Sequence, residues 1–74
     1  MELSVMISEI LSSMGIPTHY EIIGVIARKE YDPSVRDDSI ARTLARRTDL
    51  FQRVSPGAYI IRDEGRRLGN LSEG

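Results

Sequence analysis

The sequence predicts a small α+β domain in which helices are followed by a β-hairpin. Two observations carry this prediction. Residues 1–48 contain three segments with apolar residues at helical spacing, and residues 51–61, FQRVSPGAYII, hold two strand-type runs around a Pro-Gly turn. A chain of 74 residues can build one modest hydrophobic core. We therefore expect one domain over residues 1–62 and a flexible tail or linker over residues 63–74.

The first helix is predicted by apolar residues that recur three and four positions apart, which only a helix brings to one face. They are Leu3, Met6, Ile7, Ile10, Leu11 and Met14. Gly15 follows directly and is expected to end the helix in the left-handed conformation.

The second helix is predicted to start at Thr18, because Thr18 and Glu21 have the T-x-x-E spacing of a capping box. Gly24 lies inside this helix and costs about 1 kcal/mol relative to alanine, so we expect another helix to cross closely there. The residues expected to face the core are Tyr20, Ile22, Ile23, Ile26 and Ala27.

The third helix is predicted over residues 34–48, after Pro33 breaks the helical pattern. Ser34 and Asp37 are the two candidate N-caps. The residues expected to face inward are Ile40, Ala41, Leu44 and Ala45.

In the hairpin, Pro56 and Gly57 form the turn, since proline fixes one φ angle and glycine accepts a positive one. The side chains expected to pack on the helices are Phe51, Val54, Tyr59 and Ile61. An isolated hairpin is marginally stable in water, so we expect residues 15–18 to add a third short strand. This order of elements predicts a winged helix-turn-helix.

Charge is unevenly distributed along the chain. The net charge of the whole chain is −1, but residues 1–32 carry −3 and residues 33–62 carry +3. Nine of the ten cations are arginine, whose planar fork suits phosphates and guanine edges as well as carboxylates. The predicted third helix and the hairpin are therefore the basic part of the domain.

These arginines define a candidate DNA-binding surface. In a winged helix the third helix lies in the major groove and the hairpin reaches the backbone or minor groove. We expect Arg42 to read a base edge, and Arg46 and Arg47 to contact phosphates. The full predicted set is Ser39, Arg42, Thr43, Arg46, Arg47, Arg53 and Arg62. The simpler interpretation is a solubilising surface, with some arginines paired to Asp38 or Asp49.

Catalytic and metal chemistry are not indicated. His19 is the single histidine and there is no cysteine, so His19 is expected to be structural. Asp37 and Asp38 are adjacent, and adjacent helical side chains point about 100° apart, so they cannot share a proton. No nucleotide-binding or nucleophile motif is present. We expect a non-enzyme without cofactors.

No apolar run reaches the roughly 18 residues of a membrane span, and the acidic start MELSVMISEIL lacks the basic beginning of a secretory signal. We expect an intracellular protein of the cytoplasm, nucleoid or nucleus.

The chain resembles the HARE helix-turn-helix family over about residues 3–62. ILSSMGIPTHYEIIGVIA is similar to the family's link into its second helix, and LFQRVSPGAYII is similar to its wing. Thr18 departs from the pattern, because the family usually has an apolar residue there, and the loop between helices two and three is short. The residues that carry the resemblance are Gly15, Pro17, His19, Tyr20, Ile22 or Ile23, Leu44, Phe51, Arg53, Val54, Gly57, Tyr59 and Ile61.

The resemblance implies a DNA-associated accessory domain of a transcription, chromatin or restriction/DNA-processing protein. The expected partner is double-stranded DNA. Because some members of the family are thought to contact proteins, the alternative is a protein-protein interaction module with no direct DNA contact. We expect a monomer or a weak homodimer formed through spare apolar surface of the first helix.

Overall fold

A computed structural model describes residues 1–62, which form three helices and a three-stranded antiparallel sheet. The elements in chain order are α1 (Leu3–Met14), β1 (Thr18–His19), α2 (Tyr20–Glu30), α3 (Asp37–Arg46), β2 (Phe51–Ser55) and β3 (Ala58–Ile61). The predicted α+β class is confirmed. The predicted tail, residues 63–74, lies outside the described residues.

The sheet has the order β1-β3-β2, so the last strand lies in the middle. β1 pairs with β3 through Thr18 opposite Tyr59, and β2 pairs with β3 through Phe51 opposite Ile61. The backbone amide of Tyr20 also donates to the carbonyl of Gly57, at 2.9 Å. A third strand therefore exists, at Thr18–His19 rather than over residues 15–18, and it ties the start of α2 to the hairpin turn.

The core lies between the three helices and the sheet. Its buried side chains are Met6, Ile7, Ile10, Leu11, Ile23, Ala27, Ile40, Leu44 and Phe51. Tyr20, Ile26, Tyr59 and Ile61 pack against this cluster and are half-buried. Burial of apolar surface on this scale is the main favourable term in folding.

Three of the helical residues predicted to face the core are instead exposed: Met14, Ile22 and Ala45. The reason is geometric, because each helix of this small domain buries only one narrow stripe. Ile22 is about 100° around α2 from the fully buried Ile23, so the two cannot face the same core.

The predicted end of α1 is confirmed. Gly15 has φ +68°, and its amide donates to the carbonyl of Leu11 at 3.0 Å. A positive φ is strained for other residues, so glycine fits this position.

The predicted start of α2 at Thr18 is wrong. Thr18 belongs to β1, and its hydroxyl donates to the carbonyl of Ile16 at 3.0 Å. The N-cap is His19, whose Nδ1 accepts a hydrogen bond from the amide of Glu21 at 3.1 Å. The pairing of Thr18 with Tyr59 holds it in the sheet, which moves the cap one residue along the chain.

The predicted N-caps of α3 are also wrong. The residue at the cap is Arg36, without a side-chain capping bond, and Asp37 is the first helical residue. Ser34 instead forms a turn with Asp32, whose Oδ1 accepts from the Ser34 amide at 3.0 Å and from its hydroxyl at 2.7 Å.

The hairpin differs from the predicted alternation. Arg53 lies opposite Tyr59 and Ser55 lies opposite Ala58, so Val54 falls at a β-bulge without a partner and is 47% exposed. Ile60, which was not predicted to be buried, is fully buried.

Candidate nucleic-acid interface

The outward side of α3 carries two of the arginines of the predicted surface, Arg42 and Arg46. Ile40 and Leu44 are fully buried and anchor the helix on the core. Residues about 180° from this stripe face solvent, and both Arg42 and Arg46 are exposed. The two arginines are four residues apart, so their side chains are neighbours on one helix face.

Arg42 and Arg46 make no ion pair or side-chain hydrogen bond with any of residues 1–62. Each guanidinium therefore keeps all of its donors available to a ligand within the described part of the chain. Ser39 is half-exposed at the edge of the same surface.

Thr43 does not belong to this surface, contrary to the prediction. It is only 6% exposed, and its hydroxyl donates to the carbonyl of Ser39 at 2.9 Å. Thr43 lies 100° around the helix from Arg42 and about 40° from Ser39, toward the buried stripe.

Arg47 is held in the loop that follows α3. Its Nε and Nη2 each donate to the carboxylate of Asp49, both at 3.1 Å, and its Nη1 lies 3.9 Å from Glu2 Oε1. The hydrogen bonds from Arg47 lower the pKa of Asp49, and the same pair raises the pKa of Arg47. The simpler interpretation of the sequence, an arginine paired with Asp49, therefore describes Arg47.

Arg62 is also engaged within the domain. Its Nε donates to the carbonyl of Thr48 at 2.6 Å, its Nη2 donates to the carbonyl of Phe51 at 3.3 Å, and its amide donates to the carbonyl of Leu50 at 2.9 Å. These bonds join the end of β3 to the loop that precedes β2. Arg62 has a structural role, which the alternation pattern did not reveal.

The hairpin adds one available cation. Arg53 is exposed on β2 and has no ion-pair partner among the described residues. The turn after Arg53 contains Gly57, which has φ +79° and lies against the ring of His19. The hairpin tip is thus fixed to the start of α2.

The two aspartates at the start of α3 are both paired with arginine. Asp37 Oδ1 accepts from Arg28 Nη1 at 2.7 Å, and Asp38 Oδ1 lies 3.4 Å from Arg36 Nε. Their negative charge is therefore partly neutralised where a recognition helix would meet DNA. Sequence reasoning missed the role of Arg28, although Gly24 marked the place where α3 approaches α2.

Neither a cluster of metal ligands nor a membrane-spanning helix occurs among the described residues. Residues 1–62 contain no group of three or more histidine or carboxylate side chains that could hold a metal ion. None of the helices described has both the length and the apolar character needed to cross a membrane.

Comparisons of the chain with protein families, with curated proteins and with solved structures found no match.

Proposed function

We propose that this domain is a winged helix-turn-helix that binds double-stranded DNA, with α3 in the major groove and the β2–β3 hairpin on the backbone. The observation that supports this proposal is the set of three exposed arginines, Arg42, Arg46 and Arg53, which have no partner among residues 1–62. They lie on the two elements that a winged helix presents to DNA.

The chemistry of these arginines fits DNA. A guanidinium binds phosphate oxygens or the O6 and N7 atoms of guanine through two parallel hydrogen bonds. Arg42 and Arg46 project from one face of α3, and Arg53 projects from β2. The resemblance to the HARE helix-turn-helix family adds the expectation of an accessory domain in a transcription, chromatin or restriction/DNA-processing protein.

The affinity of the isolated domain should be weak and strongly dependent on salt. Arg47 and Arg62 are engaged within the domain, which leaves three arginines of the predicted set, Arg42, Arg46 and Arg53, to contact DNA. Three cationic side chains that displace counterions from DNA predict a slope near −3 in a plot of log K against log salt concentration. Fluorescence anisotropy with labelled duplex DNA at several salt concentrations measures this slope.

The first test replaces Arg42 and Arg46 together by alanine. We expect a loss of affinity for duplex DNA of at least about tenfold at low salt, since two of the three arginines proposed to contact DNA are removed. The melting temperature should stay nearly unchanged, because both side chains are exposed. A wild-type domain that binds no duplex even at low salt would exclude this function for the isolated domain.

A matched pair of variants tests where the DNA lies. Ala45 is exposed on α3, whereas Ser13 is exposed on α1. Ala45→Arg and Ser13→Arg add the same charge, but only Ala45→Arg should strengthen binding and steepen the salt slope by about one unit. Equal effects of both variants would mean that the DNA does not sit on α3.

The second candidate is a protein-interaction module with no direct DNA contact. It is favoured by exposed apolar side chains outside α3, with Ile16, Ile22 and Val25 each more than half exposed. Chemical-shift mapping separates the two candidates. Perturbations of α3 and hairpin amides on addition of duplex indicate DNA binding, and unchanged shifts there favour the protein module.

A further inference from the structure

The outward face of α2 is apolar at its centre. Ile22 is 51% exposed and Val25 is 57% exposed, one helical turn apart. The core contacts of α2 are made on its other side by Ile23 and Ala27, which are fully buried. Ile22 and Val25 therefore present their side chains to solvent in the midst of an otherwise charged helix surface.

Opposite charges lie at the two ends of this apolar pair. Glu21 is four residues before Val25 and Lys29 is four residues after it, so all three share one face of α2. The Glu21 side chain is 66% exposed, and Lys29 is exposed with no ion-pair partner among the described residues. Eight residues of helix separate Glu21 from Lys29 by about 12 Å, so the two charges of one chain cannot pair with each other.

This arrangement is complementary to itself. If a two-fold symmetry axis passes through Val25, the two α2 helices run antiparallel. A residue that lies a given number of positions before Val25 in one chain is then opposite the residue the same number of positions after Val25 in the other chain. Glu21 of each chain then faces Lys29 of the other. Val25 meets its own copy on the axis, and Ile22 lies between the axis and the ion pair, opposite Arg28 of the other chain.

We propose that the outward face of α2, formed by Glu21, Ile22, Val25 and Lys29, binds a second copy of this chain as a symmetric antiparallel dimer. None of the three arginines proposed to contact DNA belongs to this face. Self-association through α2 and DNA binding through α3 and the hairpin are therefore separate properties that fail or succeed independently.

The dimer should be weak in dilute solution. One pair of crossed helices buries less than the roughly 1,200 Å² of a standard stable interface, so association should appear only at high protein concentration. Sedimentation equilibrium up to about 1 mM chain covers the dissociation constants expected of such an interface. A weight-average mass that stays at the monomer value over this range would overturn the proposal.

A charge exchange tests the pairing itself. Lys29→Glu sets a carboxylate of one chain against the Glu21 carboxylate of the other, twice per dimer. It should weaken association at least about tenfold, because like charges across an interface are repulsive. Glu21→Lys should do the same. The double variant Glu21→Lys, Lys29→Glu recreates both ion pairs and should associate within about threefold of the wild type. A double variant that associates no better than the single variants would overturn the proposed pairing.

Zero-length cross-linking supplies a test on the unmodified chain. Lys29 is the only lysine of the sequence, so a carbodiimide can join few amines to carboxylates. We expect cross-linked dimers in which the Lys29 amine of one chain forms an amide with the Glu21 carboxyl of the other. Dimers in which Lys29 is joined only to acids of α1 would show that another face is used and would overturn the proposal.

Discussion

Gly24 decides how closely α3 can approach α2. It is buried in α2, and a Cβ atom built on it would collide with the carboxylate oxygen Oδ1 of Asp37, the first residue of α3. Asp37 is held there by Arg28, which also donates to the carbonyl of Val35 at 3.2 Å. The absence of a side chain at Gly24 thus leaves room for an ion pair that joins two helices.

The methyl group added by Gly24→Ala displaces the Asp37 carboxylate from its bond with Arg28, which should cost about 1–3 kcal/mol. Helix propensity acts in the opposite direction and favours alanine by about 1 kcal/mol, so we expect a net destabilisation of up to about 2 kcal/mol. Urea denaturation of the wild type and the variant measures the difference in the free energy of unfolding.

The matched control repeats Gly24→Ala in an Asp37→Ala background. With the colliding carboxylate removed, the substitution should cost less or become stabilising. An equal cost in both backgrounds would mean that the contact with Asp37 is not the source of the destabilisation.

At the scale of the elements, β1, α2 and the hairpin turn meet at His19. Its Nδ1 caps α2 by accepting a hydrogen bond from the Glu21 amide. Its ring stacks on Tyr20, with ring centroids 4.6 Å apart, and covers Gly57 in the turn. One side chain therefore links the start of a helix to the tip of the hairpin.

His19→Ala should destabilise the domain by about 0.5–2 kcal/mol, which is the usual cost of removing a helix N-cap. His19→Asn is the control, because asparagine is a good cap and restores the bond to Glu21 but not the ring contacts. Thermal unfolding followed by circular dichroism measures both variants. If asparagine and alanine are equally destabilising, the ring contacts rather than the cap stabilise this junction.

The helices of this domain could be predicted from the sequence, but some of their boundaries could not. The existence of α1 and α2 follows from apolar spacing, and the end of α1 follows from Gly15, because these signals depend on local chain geometry. The start of α2 was wrong because the pairing of Thr18 with Tyr59, 41 positions along the chain, decides the conformation of Thr18. The exposure of Val54 depends on a bulge, for which the sequence carries no local signal.

At the scale of the molecule, the same limit applies to the candidate site. The basic half of the chain is visible in the sequence, but whether an arginine is available depends on its partners in the fold. Arg47 was predicted to contact phosphates, and within the domain its side chain binds Asp49, whereas Arg42 and Arg46 lack such a partner among residues 1–62. Charge patterning predicts which region is basic, and tertiary contacts decide which side chains of that region remain available.

The stability of the whole domain should decrease in acid because of two depressed carboxylate pKa values. Hydrogen bonds from the Arg47 side chain lower the pKa of Asp49, and hydrogen bonds from the Ser34 amide and hydroxyl lower the pKa of Asp32. A carboxylate with a lowered folded-state pKa binds fewer protons in the folded than in the unfolded state. Its contribution is therefore complete above the ordinary value of 3.8 and is lost as the pH falls through the lower folded-state pKa.

Urea midpoints measured from about pH 6 to about pH 2 test this expectation, since the loss should begin only near the ordinary carboxylate pKa. Asp49→Asn keeps the size of the side chain but removes its titration, so its midpoint should fall less steeply in acid than that of the wild type. Because Asp49 is exposed, salt should weaken the pair and reduce the difference between the two proteins. Identical acid profiles for both would show that the bond between Arg47 and Asp49 does not contribute to stability.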